Sequence, residues 1–137
     1  MTRVLVIDDD TSIRQLVAYA LGDEGYEVEQ ASDGRAALEL IDRQHPDIIL
    51  LDMKMPGMDG WEFAKVYREL YDQQAPIIVI TAAKDAAQRG SNVEAQSYLS
   101  KPFDLDALIG RVSTVASRAD QPIESLPDDL KSGYLAP

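Results

Sequence analysis

Three strongly apolar runs in this 137-residue chain lead straight into residues that could do chemistry. Val4-Leu5-Val6-Ile7 ends in Asp8-Asp9-Asp10, Ile48-Ile49-Leu50-Leu51 ends in Asp52, and Ile77-Ile78-Val79-Ile80 ends in Thr81. A weaker run, Ser97-Tyr98-Leu99-Ser100, ends in Lys101-Pro102. Carboxylates crowded together repel and raise one another's pKa unless a cation sits among them. Hard oxygen donors of that kind suit Mg2+, which takes one or two carboxylates, keeps several waters and shares oxygens with a phosphate. A lysine adds a point charge suited to a carboxylate or phosphoryl oxygen, and Thr81 adds a hydroxyl donor. A metal, a nucleophilic carboxylate and donors placed where charge develops are the parts that phosphoryl transfer needs. Taken singly, each residue has a plainer reading: Asp10 suits a helix cap, and Thr81 and Lys101 are ordinary strand-end residues. Their coincidence at the ends of four strands is what the plainer readings leave unexplained.

Those side chains can act together only if the runs are neighbouring parallel strands. A run apolar on both faces is the mark of a central strand covered by helices on both sides. Tyr26-Glu27-Val28-Glu29-Gln30-Ala31 alternates instead, as an edge strand guarded by charge does. Between the runs, apolar residues recur at helical spacing: Ile13, Leu16, Val17, Ala20 and Leu21; then Ala37, Leu38 and Ile41; then Phe63, Val66, Tyr67 and Leu70; and last Leu105, Leu108, Ile109, Val112 and Val115. Gly22 or Gly25 ends the first of these helices, and Asp59 suits the N-cap of the third. The stretch from Ala82 to Gln96 predicts one short helix and a loop. Strand–helix alternation repeated in this way predicts an α/β fold, a flavodoxin-like doubly wound (βα)5 sandwich with a five-stranded parallel sheet in the order 2-1-3-4-5. Its switch point falls between the strands ending in Asp8-Asp9 and in Asp52, and ligands bind at the carboxyl ends of such strands. His45, beside Pro46 in a linker, reads as a surface residue. Met53, Met55 and Met58 read as loop packing.

Length allows one domain with a real core. The expected division is a body over 1–117 and a polar, Pro-rich, acidic tail over 118–137 with little to bury. Without cysteine there is no disulfide framework and no thiolate chemistry. No apolar run approaches the ~20 residues that span a bilayer, so a cytoplasmic protein is expected. A net charge of −11 argues against direct nucleic-acid binding and against an anionic membrane surface.

The motifs Val6-Ile7-Asp8-Asp9, Leu51 to Gly60 with its Asp52-Met53-Lys54-Met55-Pro56-Gly57 core, Ile80-Thr81-Ala82 and Tyr98-Leu99-Ser100-Lys101-Pro102-Phe103 resemble, in this order, the receiver domain of a bacterial two-component response regulator, of the stand-alone chemotaxis type. The likeness covers residues 3 to about 117. It implies that Asp52 accepts a phosphoryl group from a sensor histidine kinase or phosphotransfer protein. It implies that Asp9, Asp52 and the backbone carbonyl of Lys54 bind Mg2+, with Asp8 acting through water. Thr81 and Lys101 would hold the phosphoryl oxygens, and Tyr98 would be an aromatic switch that turns inward when Thr81 moves. Lys101-Pro102 matches a peptide that is cis in the family. The output would be altered binding to a downstream protein, not substrate turnover. The segment from Thr81 to Lys101 is short for the family, and Val93-Glu94-Ala95 stands where a Gly-Ala pair is common. Two other readings compete. Asp8-Asp9-Asp10 contains the Asp-x-Asp core of haloacid-dehalogenase-type phosphatases, with Asp8 as nucleophile, although that leaves Asp52 and Lys101 without a role. A degenerate receiver would serve only as a protein-binding module.

Overall fold

A computed structural model describes residues 1–81, 95 and 97–119. The apolar runs form β1 (Arg3–Ile7), β3 (Ile48–Asp52) and β4 (Ile77–Thr81), joined by β2 (Glu27–Ala31) and β5 (Ser97–Ser100). All pairings are parallel and the order is β2-β1-β3-β4-β5, as the alternation predicted. The helices are α1 (Thr11–Asp23), α2 (Gly34–Arg43), α3 (Gly60–Leu70) and α4 (Leu105–Ala119). The short helix expected between Ala82 and Gln96 lies outside the described residues, as does the tail from Asp120 onward.

Successive strand residues point to opposite faces, and each face has its own core. Leu5, Ile7, Ile49, Leu51, Ile77 and Val79 meet α2 and α3 on one side. Val4, Val6, Ile48, Leu50, Ile78 and Ile80 meet α1 and α4 on the other. That two-sided burial is why these strands read as unbroken apolar runs. At the foot of the sheet, Arg3 pairs with Glu27 at 2.9 Å and Glu29 at 2.6 Å, so the charges that guard β2 also fasten it to β1.

The caps follow the sequence. Asp10, Asp33 and Asp59 each accept a backbone N–H from the first turn of α1, α2 and α3. Gly25, not Gly22, takes the left-handed conformation that ends α1, with φ +97°. Its N–H bonds the Gly22 carbonyl and the Tyr26 N–H bonds that of Leu21, the paired bonds of a glycine C-terminal motif. Two stripe residues depart from expectation. Leu16 is 53% exposed and Leu70 63%. The buried line of α1 runs through Val17 and Leu21, which leaves Leu16 about 100° round the helix from Val17. Leu70 closes α3 one turn beyond Tyr67.

His45 is a surface residue, as read, but not an idle one. Its Nε2 lies 2.8 Å from the Tyr67 hydroxyl, and its ring stacks on Tyr67. The same hydroxyl accepts the buried Ala75 N–H at 2.6 Å. The hydroxyl oxygen keeps a second lone pair and its own proton, so which partner donates in the bond to His45 follows the imidazole tautomer. Burial lowers the His45 pKa, opposed by the charge of Asp47. Tyr67→Phe is expected to cost about 1–3 kcal/mol, the range for orphaning a buried donor, in urea unfolding at neutral pH. A cost near zero would show that water replaces the hydroxyl.

Candidate functional site

The sheet order brings the ends of β1 and β3 side by side, and with them the acids. One carboxylate oxygen from each of Asp8, Asp9 and Asp52 lies within 4.8 Å of the others. Asp8 and Asp52 are 4% and 5% exposed, whereas Asp9 faces solvent. Asp8 is the most engaged of the three. Its Oδ1 accepts the Asp10 N–H at 2.9 Å, and its Oδ2 meets Lys101 Nζ at 2.9 Å. Lys101 also reaches Asp52 Oδ2 at 3.6 Å. The lysine follows β5 at the sheet edge, and its long stem spans β4 to arrive between two acids. The Lys101-Pro102 peptide is cis, as the resemblance implied.

The electrostatics follow from this crowding. Burial and the neighbouring Asp8 push the Asp52 carboxyl up to about 6, against the pull of Lys101 and of the Lys54 N–H. Burial alone would lower the Lys101 pKa, but its hydrogen bond to Asp8 and the charges of both acids raise it on balance. Among the described residues, Lys101 is thus the cation that faces the buried acids. The donor set is all hard oxygen, close-set and short of positive charge, which fits a divalent cation such as Mg2+.

Thr81 is the last residue of β4, opposite Ser100 in register; its side chain lies outside the described residues. Tyr98, opposite Val79 on β5, is 44% exposed, with the Arg111 guanidinium 6.0 Å from its ring centroid. Lys54 is exposed on the loop after Asp52. That loop borders an open cleft of about 540 Å3 lined by Asp9, Met53, Lys54, Met55, Asp59 and Trp61, so the acids have an approach from solvent.

Some contributors escaped the sequence reading. Arg14 donates from Nη1 to the Asp8 carbonyl at 2.8 Å. Its position one turn after Asp10 could have suggested that it turns back toward β1. Trp61, two positions after the Asp59 cap, also lines the cleft beside the site. Gly34 and Gly60, which follow the Asp33 and Asp59 caps, carry no sequence signal beyond that of an Asp-Gly turn.

A model of the response regulator receiver domain matches residues 4–113. The chain is 40% identical over 129 residues to the response regulator MprA of Mycolicibacterium vanbaalenii, covering 93% of this chain and 53% of that protein. It is 37% identical over 121 residues to the probable transcriptional regulator ycf27 of Porphyridium aerugineum, covering 87% and 50%. The chain thus spans about half the length of these curated relatives. Among solved structures it resembles the chemotaxis response regulator CheY4 of Vibrio cholerae, with TM-score 0.76, 40% identity, and 84% and 98% of the two chains covered. It also resembles the receiver domain of the Francisella response regulator 1452, with TM-score 0.80, 33% identity, and 88% and 100% covered. Sheet order, acid cluster and sequence agree, and the chain belongs to the response regulator receiver domain family of two-component signalling proteins, which are signalling modules and not turnover enzymes.

Proposed function

We propose that Asp52 accepts a phosphoryl group from a histidine kinase or phosphotransfer protein and that the resulting charge alters binding to a downstream protein. The observation that carries this reading is the placement of Asp52: a buried carboxylate at the end of the central strand, facing an acid pair and Lys101. With its carboxyl at about 6, Asp52 is mostly ionised at neutral pH and free to attack. Its oxygen forms a bond to phosphorus as the donor's P–N bond breaks, and the proton needed by the leaving imidazole comes from solvent or the donor. Lys101 stands where it can take up charge on a phosphoryl oxygen, with Asp8 holding one of its three N–H donors. Thr81 and Tyr98 would relay the change as the switch pair. Asp9, Asp52 and the Lys54 carbonyl would hold Mg2+, with Asp8 reached through water. A bound Mg2+ would neutralise charge shared between the carboxylates and the incoming phosphoryl oxygens.

Such an exchange belongs in the cytoplasm. Among the described residues no helix is long and apolar enough to cross a membrane, and the −11 charge disfavours direct contact of this chain with nucleic acid. The phosphatase reading would make Asp8 the nucleophile, yet both Asp8 oxygens are already engaged.

Four melts test the metal site. Mg2+ binds the folded arrangement and not the unfolded chain. At tenfold excess over its dissociation constant it should therefore stabilise by about 1.4 kcal/mol, or about 3–8 °C in Tm. Asp9→Asn should melt above wild type in chelator, because one like charge is gone, and respond little to Mg2+, because a ligand is gone too. If wild type shows no shift, or Asp9→Asn shifts equally, the metal lies elsewhere. Phosphorylation is read by intact mass with a small phosphodonor: one group added in Mg2+, none in chelator.

A further inference from the structure

Two helices beside the site open in the same way, Asp33-Gly34 and Asp59-Gly60, each a capping aspartate followed by a buried glycine. Glycine at a helix start is less favourable than alanine, and neither glycine has a positive φ that would require it. Space requires it instead. A Cβ on Gly60 would stand 2.7 Å from the Met53 Cα and 2.8 Å from the Asp52 carbonyl oxygen. A Cβ on Gly34 would stand 2.7 Å from the Met58 Cγ and Sδ, and 3.1 Å from its Cβ. Gly60 also donates its N–H to the Met53 carbonyl at 3.0 Å.

These contacts fall on the last residue of β3 and the loop that follows it, Met53 to Asp59. Its root is pressed and hydrogen-bonded by Gly60. Its tip, where Gly57 turns with φ +75°, rests through Met58 on the first turn of α2. Between root and tip lies Lys54, whose N–H bonds Asp52. We infer that Gly34 and Gly60 are positioning residues: the openings of α2 and α3 clamp this loop at two points and so set where the Asp52 and Lys54 backbone stands toward the acid cluster. This rests on the metal reading above.

The helix and the clamp predict opposite signs. Helix propensity alone would make alanine at either position stabilising. The clamp predicts that Gly60→Ala displaces backbone and weakens Mg2+ binding by about tenfold, the lower range for disturbing groups behind metal ligands. Gly34→Ala should weaken it less. Gly34→Ala with Met58→Ala should return to near wild type, because the crowding atoms of Met58 are gone, whereas Met58→Ala should not rescue Gly60→Ala. Mg2+ titration calorimetry reads these affinities. Amide hydrogen exchange at Met53 and Lys54, in chelator, reads loop order without metal and should speed up in both single variants. Unchanged exchange at those amides, or a Gly34→Ala defect that Met58→Ala leaves in place, would overturn the clamp. A wild type that binds no Mg2+ would overturn the metal reading, with the exchange arm still deciding the clamp. If Gly60→Ala does not fold, the Gly34 and Met58 variants decide it.

Discussion

In chelator, the wild-type protein is expected to lose stability as pH rises from about 4 to about 6 and then to level off, while Asp52→Asn stays flat through that window. The cause is the Asp52 carboxyl, held at about 6 in the fold against an ordinary 3.8, first by burial and then by Asp8. The folded protein therefore binds this proton more tightly than the unfolded chain does. Stability from the bound proton is fully present below the ordinary carboxylate pKa and is lost as pH climbs through the folded value. The difference corresponds to about 3 kcal/mol at 1.36 kcal/mol per pKa unit. With part of that relieved by water, Asp52→Asn should exceed wild type by about 2 kcal/mol at pH 8 in urea unfolding. Equal stabilities at pH 8 would mean that Asp52 is not strained by its neighbours.

Removing Lys101, the cation paired with Asp8 and Asp52, should act in the opposite direction. Lys101→Ala leaves Asp8 and Asp52 buried without the amine that now stands 2.9 and 3.6 Å from them. Breaking a buried pair costs about 3–5 kcal/mol. Because the Lys101 side chain keeps 15% exposure and Asp52 can take up a proton, a loss of about 2–3 kcal/mol in chelator at pH 8 is expected. The loss should shrink toward pH 5, where Asp52 protonates, and in Mg2+, which supplies the missing charge. Added to Asp52→Asn it should shrink as well, since one of the stranded acids is then neutral. A Lys101→Ala loss independent of pH, Mg2+ and Asp52→Asn would mean that packing of the lysine stem is what matters. Once phosphorylated, the same variant should no longer change partner binding, which ties Lys101 to the switch and not to folding alone.

The fold was legible because its strongest signal is also its strongest constraint. β1, β3 and β4 are buried on both faces, so their sequences admit almost nothing but Val, Ile and Leu, and β2 at the edge betrays itself by alternating. Once the order was set, Asp8, Asp9, Asp52 and Lys101 had to converge, because the carboxyl ends of parallel strands share one side of the sheet. What stayed hidden depends on distances between elements that leave no periodic trace. The partner of His45 is 22 residues away on α3, and nothing local to His45-Pro46 announces a tyrosine. Leu16 satisfies the helical stripe yet sits at its margin, a matter of how α1 is rolled against the sheet. Gly34 and Gly60 look like the second half of Asp-Gly turns, and only the packing of Met58 and Met53 shows that a methyl group would not fit. The stretch from Ala82 to Gln96 carried the weakest pattern in the body of the chain.

That Asp52 carries the phosphoryl group is tested most directly by chemical trapping. An aspartyl phosphate is an acyl phosphate, which borohydride reduces to the alcohol, while a free carboxylate is untouched. After reaction with a small phosphodonor and Mg2+, followed by reduction and proteolysis, the peptide spanning β3 and its loop should contain homoserine in place of Asp52. No other aspartate should be converted, and omitting either Mg2+ or the phosphodonor should abolish the product. Homoserine at Asp8 or Asp9, or phosphoryl label that survives in Asp52→Asn, would contradict the assignment.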